Sequence, residues 1–474
     1  MSRRRQLVEL ARTCLSALIE LVLRLEAETR ALRSEVKELK DRLALSSRNS
    51  SKPPSTDGLA KPAPKSLRKR TGRRRGGQPG HPGRTLQPVD EPDHLVLHAL
   101  GRCPCGLCQG RSLRNEPVVD YEKRQVFELP RKLLEVTEHQ AEIKRCPVSG
   151  RLVTAAFPES IGAPAQYGPR FRGLMIYFNN RQFIPYDRLT EVSEDVFGQP
   201  LSEATVVAAN QRVYGHLAPF EQELKVLLPQ APLVHADESG LRVAGKLHWL
   251  HVVCTPCLTF YGVHRKRGRQ AMDEFDILPR CRGWMVHDHL KAYFTYKDCL
   301  HALCNEHHLR ELKFLHEEHH EAWAEELSTF LLEAKARVEQ HGVLEEQDFK
   351  QAMRRYHAIL AKGRRRHPRR QGRQAQSKAA NLLDRLEDYD WSVLAFLFDS
   401  QVPFTNNQGE RDIRMEKVRQ KISGCFRTLH GARVFARIRS YISTCRKQGR
   451  TILDELENAV RGKPFIPSLA TRGP

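Results

Sequence analysis

Residues 233–288 read LVHADESGLRVAGKLHWLHVVCTPCLTFYGVHRKRGRQAMDEFDILPRCRGWMVHD. Short apolar runs of β type follow one another closely: 233–237, closing on Asp237, then 247–255 (LHWLHVVCT), then 258–264 (LTFYGVH). Turn-rich segments separate them, the second built on Thr255, Pro256 and Cys257. Strands so spaced imply an antiparallel meander. A helical stretch from Gln270 to Leu278 leads to a fourth run, 283–288, which closes on Asp288, and another helix follows.

An order of three strands, helix, strand, helix is that of the ribonuclease H-like nucleases. An α+β or α/β catalytic domain of this kind is therefore expected over residues 229–452. A carboxylate ending a buried strand is unfavourable unless it meets a cation. Asp237 and Asp288, on neighbouring strands, make a place for Mg²⁺, which takes oxygen ligands. Two ions there would assist an in-line phosphoryl displacement. Such a site needs a third carboxylate, and Glu410, in TNNQGERDIRMEKVRQK, is the strongest candidate. Asn406 or Asn407 can cap its helix, and Arg414, Lys417 and Lys421 share its face, as cations along a DNA track would. On spacing alone, Glu410 serves equally well as a dipole partner at the N-terminus of a solvated basic helix. Asp412 is the reserve candidate. Residues from about 299 to 400 read as a helical insertion in this domain, with AEELSTFLLEAKARVEQ and NLLDRLEDYDWSVLAFLF both at 3–4 spacing. Inside it, Cys304 and His307, with His316, His319 and His320 downstream, have zinc-like spacing, but helix-borne histidines are more often solvated or packed, and that is the expectation. The block at 363–370, GRRRHPRR, is a second candidate contact to a DNA backbone. Cys254 and Cys257 flank a hairpin turn and are read as structural.

Working toward the N-terminus, residues 161–228 are expected to be helical. Phe197 and Gly198 mark a turn and Ser202 stands as N-cap of the next helix, a helix-turn-helix candidate. Residues 91–160 are expected to form a small β module. CPCGLC supplies Cys103, Cys105 and Cys108, and Cys146 follows the strand-like VTEHQAEIKRC. Four thiolates suit a structural zinc, with Cys103 substituting for the distal partner that Ser149 replaces; the alternative is a set of reduced, buried thiols. Residues 46–90 form a Pro/Gly-rich linker. Between Arg48 and Arg84 it carries eleven Lys or Arg and one acid, Asp57. Arg68, Lys69, Arg70, Arg73, Arg74 and Arg75 are its candidate contacts to phosphates, against the plainer reading of a solvated spacer. Residues 5–45 hold a heptad, with Leu18, Leu25, Leu32 and Leu39 at one position and Leu15, Val22, Thr29, Val36 and Leu43 at the other. A seam this narrow predicts a self-associating coiled coil, hence a homodimer. Residues 453–474 are left as a C-terminal tail.

The whole chain supports this picture. Its 474 residues exceed one ordinary domain, and 78 Lys and Arg against 56 Asp and Glu give a net charge of +22 and call for a polyanionic partner. No stretch has the length of a membrane span, and the opening MSRRR precedes an apolar run broken by Glu9, Arg12, Glu20 and Arg24. A cytoplasmic location is the expectation.

Certain segments go further. HADES around Asp237, VHDHLKAYF around Asp288, residues 406–449 (NNQGERDIRMEKVRQKISGCFRTLHGARVFARIRSYISTCRKQG), and upstream NSSKPPSTD and GGQPGHPG closely resemble the large transposases of the IS66 family of bacterial insertion sequences. The resemblance spans residues 15 to 452. It implies a DDE triad of Asp237, Asp288 and Glu410, with Mg²⁺-dependent cleavage at the element's terminal inverted repeats and strand transfer into target DNA. It further implies a nucleoid-associated protein working beside two small accessory proteins of the same element. The chain departs from the family's pattern at Thr405, commonly Asp, and Gly409, commonly Ala. It also departs at Ser149, where the family's Cys-x-x-Cys would end, and at His289 and Leu290, which replace a frequent Gly-Tyr. His289 could add a phosphate contact or simply pack. A second class of function remains: a non-catalytic DNA-binding or regulatory protein derived from a transposase.

Overall fold

A computed structural model describes residues 3–44, 86–105, 107–369 and 376–468. The chain divides into two compact units, one built from the N-terminal helix and from residue 158 onward, the other from the described residues between 86 and 157. The linker cations Arg68, Lys69, Arg70, Arg73, Arg74 and Arg75 lie outside the described residues.

In the first unit, α1 (Arg3–Ala44) runs 42 residues without a break. Its seam residues Leu18, Leu25, Leu32 and Leu39 are 50–60% exposed, so none of the described residues covers them fully. In the second unit the expected β module is sparse: β1 (Ile143–Arg145) and β2 (Leu152–Thr154) pair antiparallel, and irregular backbone makes up most of the rest. Of the strand-like run before Cys146, only its last residues enter the ladder.

Four helices then lead to the sheet: α2 (Pro169–Arg181), α3 (Tyr186–Phe197), α4 (Glu203–His216) and α5 (Ala218–Leu227). Gly198 ends α3 at φ 64°, the left-handed conformation that Gly adopts without strain, and Ser202 caps α4 by accepting from the Thr205 N–H at 3.2 Å.

The sheet comprises β3 (Leu233–Val243), β4 (Lys246–Cys254), β5 (Thr259–His264), β6 (Trp284–His287) and β7 (Leu300–Leu303), with α6 (Arg269–Phe275) between β5 and β6. Its spatial order is β5-β4-β3-β6-β7. The first three strands are antiparallel, and β6 and β7 run parallel to β3. This mixed α/β arrangement is compatible with a ribonuclease H-like transposase domain. The fifth strand corrects the sequence reading, which placed residues from about 299 in a helical insertion. Leu300–Leu303 is too short to show a period of its own, and its strand character comes from the parallel partner β6.

After β7 come α7 (Asn305–His319), α8 (Ala322–His341), α9 (Glu346–Arg366), α10 (Lys378–Asp388) and α11 (Asp390–Val393). They enclose a core of their own around Leu327, Leu331, Tyr356, Leu383 and Leu386, into which β6 and β7 contribute Trp284, Val286 and Leu303. The chain returns through α12 (Asn407–Ser423), α13 (Leu429–Lys447) and α14 (Ile452–Val460). Helix α13 covers the sheet edge, where Thr444 Oγ1 and Ser440 Oγ accept from the backbone N–H groups of Thr259 and Tyr261 at 3.1 and 2.8 Å, so the outer face of β5 is not left unpaired. Residues 453–474 are expected to be a C-terminal tail, but their first part is helical, as α14. Leu456 and Ala459 are completely buried beside Tyr441, and burying one such Leu contributes roughly 1.5–3 kcal/mol.

Candidate active site

The parallel pairing of β3 with β6 matches Leu233 to Trp284, Val234 to Met285 and His235 to Val286. The same offset carries Asp237 level with Asp288, just past the last paired residues. Both carboxylates therefore sit where the strands part. Asp237 Oδ1 accepts the Glu238 N–H at 2.8 Å, and Asp288 Oδ1 accepts that of Leu290 at 3.0 Å, which fixes the turn leaving β6. Burial holds the Asp237 carboxyl well above the ordinary range, and the nearby charges of Glu238, Asp288 and Glu410 push it the same way. The register thus sets Asp237 level with Asp288, and Glu410 is near enough for its charge to act on Asp237.

Glu410 reaches this point because of Asn406. Asn406 occupies the N-cap position of α12, yet its side chain does not cap the helix. Its Oδ1 bonds His235 Nδ1 at 2.8 Å, its Nδ2 donates to the Ala236 carbonyl at 2.9 Å, and its backbone N–H donates to Cys304 Sγ at 3.2 Å. Helix α12 is thereby tied to the strand that carries Asp237. Glu410 Oε1 lies 3.7 Å from Cys304 Sγ and 3.9 Å from His307 Nδ1. Burial and the charge of Glu410 drive the Cys304 thiol up to about 12.

Two further residues carry little signal in the sequence. Glu238 is buried and receives Arg267 Nη2 at 2.6 Å and the Tyr293 hydroxyl at 2.5 Å. Burial, then the charge of Asp288, raises its carboxyl to about 7. Arg267 also stands 3.8 Å from Asp288 and 4.9 Å over the Trp249 ring. It is the cation next to the carboxylates, but its shortest contact is with Glu238. The adjacent acid in HADES was the available signal for Glu238; Arg267 has none, since it meets its partners only across the fold.

Other expected contacts fall differently. Arg414 and Lys421 are exposed on α12, whereas Lys417 Nζ donates to the Gly240 carbonyl at 2.9 Å and so holds the helix to β3. Asp412, the reserve acid, is occupied by Lys447 at 2.5 Å. In the basic block, Arg364 is paired with Asp384 and Glu387, both at 2.7 Å, and Arg369 with Asp384 at 2.8 Å, so much of its charge is neutralised internally. His289 packs against Phe294 and Tyr389, and burial holds its imidazole down at about 4.

Asp288, Arg267, His289, Cys304, His307 and Arg385 line a cleft of about 240 Å³. Asp237, Asp288 and Glu410 offer oxygen donors of the kind that a hard divalent ion such as Mg²⁺ takes. In the other unit, Cys103, Cys105 and Cys108 offer sulfurs all within 4.8 Å of one another. Hydrogen bonds, first from Cys103, pull the Cys105 thiol down to about 7. Cys146 is not part of that group; its sulfur accepts the Ser149 N–H at 3.4 Å. The sulfurs brought together thus fall one short of a tetrahedral zinc set.

Residues 164–434 match the family described as Transposase IS66 family. Residues 4–87 match a family of unknown function, DUF6444. No curated protein matches the chain.

Proposed function

From the premise that the chain belongs to the IS66 transposase family, matched over residues 164–434, we propose that it cuts DNA at the terminal inverted repeats of an insertion sequence and joins the ends to target DNA, with Asp237, Asp288 and Glu410 as its DDE triad. The observation that supports this reading is the β3–β6 register, which sets Asp237 level with Asp288, with Glu410 on α12 near enough for its charge to raise the Asp237 carboxyl.

The roles follow from the surroundings. Asp237 and Asp288 act as a fixed pair of oxygen ligands, because the β3–β6 register and two backbone N–H bonds leave their carboxylates little freedom. Glu410 completes the set from a helix that Asn406 keeps at the right height. Glu238 and Tyr293 hold Arg267 beside Asp288, where its guanidinium can face a phosphodiester in the cleft. When bound, Mg²⁺ would supply charge stabilisation at the scissile phosphate and a more acidic water or 3′-hydroxyl. Arg414 and Lys421, exposed along α12, would extend the track for the DNA backbone.

The long α1 with its exposed leucine seam supports a homodimer, which suits processing two element ends together. The sulfur cluster of Cys103, Cys105 and Cys108 would hold zinc with a fourth ligand, for which Cys146 is the candidate.

The test uses labelled terminal-repeat DNA with Mg²⁺. Wild-type protein nicks and joins it. Asp237→Asn, Asp288→Asn and Glu410→Gln each lower the rate by more than ~10²-fold, on the scale of losing a principal electrostatic group, with DNA binding retained. Retained binding without any nicking by the wild type would favour a non-catalytic DNA-binding protein. Unimpaired joining by Glu410→Gln would remove Glu410 from the triad.

A further inference from the structure

The spacing of Cys304 and His307 alone suggests packed or solvated side chains, yet the fold gathers them around a carboxylate from a distant segment. Cys304 follows β7 and is the N-cap residue of α7. Its sulfur accepts the Asn406 N–H at 3.2 Å. One turn along, His307 Nδ1 is buried without a hydrogen-bond partner. It lies 3.9 Å from Glu410 Oε1, which itself lies 3.7 Å from Cys304 Sγ, and the three donor atoms are all within 4.8 Å of one another. Zinc bonds of standard length at tetrahedral angles set such donors roughly 3.3–3.6 Å apart, so small side-chain rotations would close the set.

The donors themselves select the ion. Sulfur, imidazole and one carboxylate suit a borderline-soft cation, whereas Mg²⁺ prefers oxygen throughout. Three protein ligands leave a fourth position for water, on the side of the cleft that Cys304 and His307 line.

We propose that Cys304, His307 and Glu410 form a zinc site beside the carboxylate triad, and that the two sites share Glu410. Zinc binding itself stands on the three donors. Its consequence, competition between Zn²⁺ and Mg²⁺ for Glu410 and hence inhibition of strand transfer by zinc, rests on the reading of Glu410 given above. On ligation the Cys304 thiol releases its proton to solvent as the sulfur–zinc bond forms, and no group changes oxidation state.

The test is spectroscopic. The full-length chain, with Cys103, Cys105, Cys108 and Cys146 changed to Ser so that the exposed sulfurs cannot compete, is titrated with Co²⁺ as a probe for the zinc site. One equivalent should give a thiolate-to-cobalt charge-transfer band and tetrahedral visible bands, and Zn²⁺ should displace them. Cys304→Ser should abolish the charge-transfer band. His307→Ala, whose side chain is partly exposed and so is safer for folding, should weaken cobalt at least tenfold, as should Glu410→Gln. Asp237→Asn should leave the band intact. Absence of the band in folded protein, its survival in Cys304→Ser, full affinity in Glu410→Gln, or its loss in Asp237→Asn would each overturn the proposal. Failure of DNA joining with the cobalt band intact would count against the triad and not against the zinc site.

Discussion

Asn406 shows how a residue outside the triad can determine whether the triad exists. Its 2% exposed side chain bridges His235 and the Ala236 carbonyl, on the strand that carries Asp237, while its own residue starts the helix that presents Glu410. Truncation to Ala leaves a buried ring nitrogen and a buried carbonyl without partners, at about 1–3 kcal/mol each. Asn406→Ala should therefore lower unfolding stability by roughly 2–4 kcal/mol in a urea titration. Asn407→Ala, next door and exposed, should stay within ~0.5 kcal/mol. Equal losses from the two would refute the clamp. The sequence could not tell these neighbours apart, since either can cap a helix and the distinction lies in what stands opposite. The acids were legible for the converse reason: a carboxylate closing an apolar run conflicts locally with its surroundings, and that conflict is visible without the fold. Cys304 and His307 had the right spacing, but the carboxylate that gives the pair a chemical purpose is more than a hundred residues away.

Elements were legible where their pattern was long enough to repeat. The meander β3–β4–β5, the caps at Gly198 and Ser202, and the helical texture of α8 and α10 all come from local periodicity and turn chemistry. Strand β7 is four residues and takes its identity from β6; α14 is nine residues and takes its place from the core that Leu456 and Ala459 enter. The junction between β3 and β6 rests on Gly283. A Cβ there would lie 2.4 Å from the Pro232 carbonyl oxygen and 2.7 Å from that of Ala231, both rigid backbone. The neighbouring Trp284 N–H donates to the same Pro232 carbonyl at 2.8 Å, and Leu300 N–H donates to the Gly283 carbonyl at 3.1 Å, so the chain cannot retreat without loosening β7 as well. Gly283→Ala should cost about 3 kcal/mol, the upper end of overpacking, and disturb the height of Asp288. Gly215, exposed in α4 with no atom within 4 Å of where a methyl group would stand, offers the opposite sign: Gly215→Ala should gain ~0.5–1 kcal/mol. Thermal or urea unfolding of the two variants checks both. A Gly283→Ala protein as stable as its parent would mean that β3 and β6 are not packed this closely.

At the scale of the whole molecule, +22 is not spread evenly in kind. The basic block at the end of α9 faces Asp384, Glu387 and Glu321, which already pair with Arg364, Arg366 and Arg369. The linker between Arg48 and Arg84 has eleven cations and one acid, and local sequence offers them no comparable compensation. Two basic segments that look alike in composition should therefore behave differently toward DNA. Each phosphate neutralised on a duplex contributes ~0.9 to the slope of log affinity against log salt concentration. Deleting residues 68–75 removes six Lys or Arg, so the slope should fall by as much as ~5 if all of them contact phosphates. Replacing Arg364 and Arg369 by Gln should leave it nearly unchanged, because those charges are already engaged with carboxylates. Electrophoretic or anisotropy titrations of terminal-repeat DNA across a salt series separate the cases. An unchanged slope on deletion would reduce the linker to a spacer, and a large fall on the arginine replacements would mean that DNA draws Arg364 and Arg369 out of their ion pairs. The expected pattern places DNA contact in the segment with a single internal acid, leaving the helical insertion to hold β6 and β7, and with them Asp288, in position.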